Sequence, residues 1–226
     1  AETGVLALAA GADGAPVLPS ALVADIGGGT YPAVINILLA LRERDRSGKG
    51  CKLDIAMADN LFTFMYWALG NGQAAGAWPQ PGAELVTGGS PRYNIYRAKD
   101  GKFVAAAPLE SKFWKNFCEL IALATEFRDD SRDPAATKRA IAQIISSKNG
   151  DEWRATFAGK DVCCSLVASP EAAFSDPHFR ARGVFAAQLF AGGRQIDALP
   201  VSIDARFRSD GSGAGYPSLG EANDLL

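Results

Sequence analysis

A single histidine, His178, stands in 226 residues, which leaves a zinc site without its usual imidazole ligands. The four cysteines, Cys51, Cys118, Cys163 and Cys164, form no C-x-x-C pair. They are too sparse for a secreted disulfide scaffold. Reduced thiols are expected, with the adjacent Cys163 and Cys164 packed in an apolar run, and a cytoplasmic setting fits them. No run approaches the roughly 18 apolar residues of a membrane helix, so no membrane contact is expected. Excess basic charge is also missing: the net charge is −2, and lysine and arginine are scattered, so no nucleic-acid partner is expected. The glycines make neither G-x-G-x-x-G nor a P-loop. The opening Ala1–Ala10 stretch is apolar but has no basic flank, so it does not read as a leader peptide.

Apolar residues make up 48% of the chain and charged residues 21%, the proportions of a globular protein able to build one large domain or two small ones. The most distinctive stretch is Asp25-Ile26-Gly27-Gly28-Gly29-Thr30, followed by Tyr31 to Arg44. Val34, Ile35, Leu38, Leu39 and Leu41 recur at helical spacing. Thr30 is expected to cap that helix, Pro32 to lie in its first turn, and Gly48 to end it behind Arg44 and Arg46. On spacing alone, the glycines are either a turn with a capping Asp25 or a close approach of backbone to a ligand. In the second case the helix start would offer free N–H donors and a field favouring an ionised Asp25.

Lys52 to Met57 reads as a short strand, and Leu61 to Leu69 as a helix whose Phe62, Phe64, Tyr66 and Trp67 belong to a core. Gly70 to Gly82 reads as a linker. A hairpin is expected from Tyr93–Ala98 and Lys102–Ala107 around Lys99-Asp100-Gly101. Helices follow from Ser111, from Pro134 to about Ser146, and from Asp151 to Phe157. Val162 to Ala168 reads as a buried strand, and a short helix is expected after Ser169. A turn is expected at Ser175–His178, then a pairing of Val184–Phe190 with Gln195–Ile203. The Gly- and Ser-rich stretch Arg208–Pro217 reads as mobile or draped over a surface. Glu110 reads either as a helix-start acid or as a site residue, and Tyr93 as a hairpin core aromatic or a pocket wall.

Several of these segments resemble one family. They are Asp25-Ile26-Gly27-Gly28-Gly29, Leu41-Arg42-Glu43-Arg44 with Ser47-Gly48-Lys49-Gly50, Leu53-Asp54-Ile55-Ala56-Met57, Pro91-Arg92-Tyr93-Asn94-Ile95-Tyr96 and Leu109-Glu110-Ser111-Lys112-Phe113-Trp114. Together they resemble the family III CoA-transferases (CaiB/BaiF), and most closely the branch that racemises 2-methylacyl-CoA thioesters. The resemblance implies an α/β fold: a Rossmann-like large domain, a smaller α+β domain and an interlocked homodimer. On that reading residues 1–60 are the C-terminal part of the large CoA-binding domain and 61–85 a linker. Residues 86–185 form the small domain, and 186–226 return to the large one.

It further implies acid/base roles for Asp25 and Glu110 on opposite faces of the substrate α-carbon. Gly27, Gly28, Gly29, Tyr93 and Leu109 would contact an acyl-CoA substrate, with no metal and no cofactor beyond the CoA of the substrate itself. Two alternatives accompany it: CoA transfer through Asp25 as nucleophile, and an inactive fragment or assembly subunit. The family's Gly-His-Asp segment is expected upstream of Ala1, so the chain is expected to lack the N-terminal third of a complete member. His178 does not take that histidine's place, since Asp176-Pro177-His178-Phe179-Arg180 resembles a structural motif. In Pro217-Ser218-Leu219-Gly220-Glu221, a tail resembling the family's ending, Ala222 stands where His is usual.

Overall fold

The computed structural model describes all residues except 12, 209–211, 216, 218, 222 and 224–226. The chain divides into two compact units, Ala1–Val167 and Ala168–Leu226.

In the first unit the helix expected at Tyr31 starts earlier. A π-helical segment, Val23–Thr30, runs straight into α1, Tyr31–Ser47, and the Tyr31 N–H donates to the Ile26 carbonyl five residues back. Thr30 is itself helical and makes no side-chain cap. The glycine turn therefore gives way to continuous helix, and N–H groups inside such a segment are engaged along its axis rather than open to a ligand. Glycine is needed here for packing. A Cβ on Gly28 would meet the Met57 carbonyl oxygen at 2.7 Å, and one on Gly27 the Phe64 ring tip at 2.6 Å. Pro32 has no N–H to offer the Gly28 carbonyl four residues before it; Asn60 Nδ2 donates to that oxygen at 2.8 Å.

Gly28→Ala is expected to lower stability by about 1–3 kcal/mol, because a backbone oxygen must move to admit the methyl. Gly27→Ala should cost less, since the clash is with the end of a rotatable ring. Thermal melts of the two variants check this, and equal midpoints would contradict it.

The end of α1 is as expected: Gly48 is left-handed (φ 71°), and its N–H donates to the Arg44 carbonyl. Among the described residues nothing buries the apolar side of α1. No α1 residue is buried, and Ile35, Leu38 and Leu39 are more than half exposed. The continuous helix Val23–Ser47 is also long and apolar enough to cross a membrane by length and composition. That corrects the expectation that no segment would reach this measure, which counted uninterrupted apolar residues and not helical length.

Residues 51–56 form no strand, and no described strand lies beside them to complete a ladder. The aromatic helix is broken into α2 (Met57–Leu61), a 3-10 turn (Phe62–Met65) and α3 (Tyr66–Ala75). Leu61, Met65 and Ala68 are buried, whereas Phe62, Phe64 and Tyr66 are exposed. Leu61, Met65 and Ala68, spaced i, i+4 and i+7, share the buried face instead, so the expected aromatic core is corrected. The glycine-rich stretch read as a linker begins inside α3, where Gly72 makes room for the Trp78 ring.

The expected hairpin is present. β1 (Asn94–Arg97) and β2 (Phe103–Ala106) pair antiparallel, Asn94 opposite Ala106 and Arg97 opposite Phe103, with Gly101 at φ 83° in the turn. α4 (Ser111–Leu120), α5 (Pro134–Ile145) and α6 (Gly150–Phe157) follow, and β3 (Cys164–Leu166) joins the far edge of β2. β3 is shorter and more open than the buried strand expected. It has one neighbour, and Cys163, at φ 50° and exposed, interrupts the extended run. Cys163 is thus not the packed thiol expected, although all four cysteines are free. The core of this unit gathers Val104, Phe117, Leu123, Ile141, Ile145 and Trp153, each at most 1% exposed.

In the second unit, α7 (Pro170–Phe174) is capped by Ser169, and α8 (Pro177–Ala181) by Asp176. The expected pairing appears as β4 (Gln188–Ala191) against β5 (Arg194–Asp197). Part of the glycine-rich tail is ordered as β6 (Ser212–Gly215), parallel to β4. The remaining tail positions 209–211 and 216, with Ser218 and Ala222 of the terminal signature, lie outside the described residues.

Candidate active site

Glu110 follows β2 by way of Ala107-Pro108-Leu109 and is the N-cap residue of α4, with extended backbone (φ −74°, ψ 147°) and no capping bond from its side chain. An N-cap usually carries a short acceptor that bonds the first helical N–H groups. Here the carboxylate is exposed and, among the described residues, accepts no hydrogen bond and joins no ion pair. Asp161, Asp151 and Asp130 are by contrast each paired, with Lys112, Lys102 and Arg92.

Asp25 lies in the first turn of the π-helical segment, also exposed. Its backbone carbonyl accepts from Thr30 Oγ1 at 3.0 Å, and its carboxylate has no described partner. Asp25 and Glu110 make no contact with each other.

An apolar cleft of about 470 Å³ opens on the hairpin, lined by Ala9, Val86, Tyr93, Ile95, Ala105 and Ala107 among others. Its rim is pinned: Glu84 and Thr87 hold each other in a reciprocal cap, and the Gly88 carbonyl accepts from Asn94 Nδ2 (2.9 Å) and Lys138 Nζ (3.2 Å). Of the residues singled out from sequence, Tyr93 alone lines this cleft. Leu109 and Glu110 are the third and fourth residues after its floor strand, β2. Gly27, Gly28 and Gly29 face α2 and the turn after it, not the cleft.

Sequence reading missed the rim, because Glu84 to Gly89 fell between the expected linker and the expected hairpin and were assigned no element. Gly88-Gly89-Ser90-Pro91 was the turn signal that could have marked it. It also missed Arg92. The guanidinium of Arg92 grips Asp130 through Nε (2.9 and 3.1 Å) and Nη2 (2.6 Å), and Nη1 donates to the Leu109 carbonyl at 3.2 Å. It also lies 4.9 Å over the Trp114 ring.

The Cys118 and Cys164 thiols are poor candidates for chemistry. Burial pushes Cys118 up to about 11 and Cys164 up to about 12, so neither is a thiolate at neutral pH. His178 is exposed on α8, its ring edge-on to Phe179. Among the described residues no three His, Cys, Asp or Glu side chains gather into a metal-binding group.

The model of CoA-transferase family III matches residues 1–223. A mouse alpha-methylacyl-CoA racemase is 32% identical over 211 residues, 91% of this chain and 54% of its own. The alpha subunit of succinyl-CoA–L-malate CoA-transferase from Chloroflexus aurantiacus is 28% identical over 185 residues, 76% of this chain and 42% of its own. Among solved structures, a CaiB/BaiF family protein from Brucella suis superposes with a TM-score of 0.73 at 22% identity, covering 99% of this chain and 59% of its own. The chain thus spans about half the length of the relatives it matches. The mixed helix and sheet content and these neighbours make the fold that of the α/β CoA-transferases, and the chain belongs to CoA-transferase family III.

Proposed function

We propose that the protein carrying this chain interconverts the (R) and (S) forms of a 2-methylacyl-CoA thioester. The observation that carries this reading is Glu110: an exposed carboxylate, free of partners among the described residues, placed just past the strand that floors an apolar cleft. In the reaction one carboxylate removes the α-proton, and the C–H electron pair moves through the carbonyl to oxygen, giving an enolate. An acid on the other face returns a proton to carbon as the carbonyl reforms. Asp25 serves the face opposite Glu110, Tyr93 and the cleft hold the branched acyl group, and no cofactor is used.

The same proposal makes the protein a cytoplasmic homodimer with no membrane or nucleic-acid partner. The uncovered apolar side of α1 supports burial against further protein, since contiguous exposed apolar surface of this kind marks an interface.

Incubating the complete protein with one epimer of a 2-methylacyl-CoA in D2O is expected to give α-deuterium and the opposite epimer. Product without α-deuterium, or no product, would overturn the reading.

The CoA-transferases among the relatives favour a second reading. In it the Asp25 carboxylate attacks the thioester carbonyl and expels CoA thiolate, which then attacks the aspartyl anhydride to give an aspartyl-CoA thioester and a free carboxylate. Hydroxylamine trapping at Asp25 together with acceptor-dependent CoA transfer would support it over racemisation.

A further inference from the structure

We propose that Arg92, locked by Asp130, is the positioning residue that aims Glu110, a role that rests on the racemase reading above. The Leu109 carbonyl and the Glu110 N–H belong to one peptide plane, so the 3.2 Å bond from Arg92 Nη1 to that carbonyl fixes how Glu110 leaves the chain. Glu110 has no side-chain bond of its own to hold it. Arg92 in turn is held on three sides: by both Asp130 oxygens, by the Trp114 ring, and through its own backbone, whose N–H donates to Ser90 Oγ at 3.1 Å. The preceding Pro91 carbonyl is tied to the buried Tyr96 hydroxyl at 2.8 Å. One side chain thus joins the segment bearing Tyr93, which lines the cleft, to the segment bearing Glu110.

A planar guanidinium can grip a carboxylate with two nitrogens and still offer a third outward; a lysine ammonium cannot hold that geometry. The pair is only partly buried, with side-chain exposures of 24% and 14%. Arg92→Lys therefore keeps the charge balance while releasing the Leu109 carbonyl.

The test uses the complete protein and follows α-deuterium incorporation separately from each epimer. Arg92→Lys is expected to lower kcat by about 10- to 100-fold, the cost of a misplaced reacting group, while KM changes less than about threefold. Its exchange should be lost from the same epimer that Glu110→Gln loses and kept from the other. The double variant Arg92→Leu/Asp130→Leu removes both charges together, leaving neither ion alone. It should melt above Arg92→Leu yet keep the low kcat and the one-sided exchange.

Wild-type kcat with balanced exchange in Arg92→Lys, or kcat recovering with the melting temperature in the double variant, would overturn the proposal while Glu110 kept its role. A Glu110→Gln protein that racemises at the wild-type rate would overturn both.

Discussion

Glu110→Gln is expected to lower the rate of racemisation by about a thousandfold, the usual scale for loss of a positioned acid or base. The substitution keeps the shape of the side chain and removes its ability to take and return a proton. Because Glu110 is exposed and has no described partner, nothing structural is lost with it. The melting temperature should stay within about a degree of wild type, as for other surface changes that break no contact, and KM should stay within a few-fold. Steady-state kinetics with a calorimetric melt separates the two effects. A kcat near wild type would remove Glu110 from the chemistry, and a large fall in melting temperature would make it a structural acid.

Trp153→Ala is expected to cost about 3–5 kcal/mol, the range for truncating a fully buried large aromatic. The ring is 1% exposed and stacks on Phe157 at 5.6 Å between centroids. Its indole N–H donates to the Ile145 carbonyl at 2.8 Å, tying the end of α5 to α6. Truncation also strands that carbonyl, which adds about 1–3 kcal/mol if water does not reach it. A globular domain holds only about 5–15 kcal/mol in total, so the variant should unfold at a much lower denaturant concentration. Trp153→Phe, which keeps the stacking but not the donor, should fall between the two. A loss under about 1 kcal/mol for the alanine variant would contradict the packing described here.

How much of this could be read from the residues differs along the chain. Residues 94 to 157 were legible because their signals are local and agree with one another. The Lys99-Asp100-Gly101 turn fits the register of the hairpin, Asp133-Pro134 caps and starts α5, and Ile141 and Ile145 repeat on one face. Before residue 80 the helix ending at Gly48 was legible, but burial was misread for a physical reason. Apolar residues in α1 and aromatics at 62, 64 and 66 predict burial, but none of the described residues buries them.

The three glycines misled differently. Their sequence fits an open turn as well as a helix pressed against its neighbour, and it took the approach of Met57 and Phe64 to decide between them. Asp25 and Glu110 were legible as candidates through resemblance alone, since each is also a plausible helix-start acid. Arg92 was invisible from sequence because its partner, Asp130, is 38 residues away. A pairing of that span has no local signature.

The most direct test of two carboxylates serving opposite faces of one carbon is epimer-resolved hydrogen exchange in the complete protein, comparing Asp25→Asn with Glu110→Gln. Each variant should stop racemising yet still wash α-deuterium into the one epimer whose proton faces the surviving carboxylate, and the two should retain opposite epimers. If both variants keep the same epimer, or either exchanges both epimers as wild type does, the two-sided account is wrong.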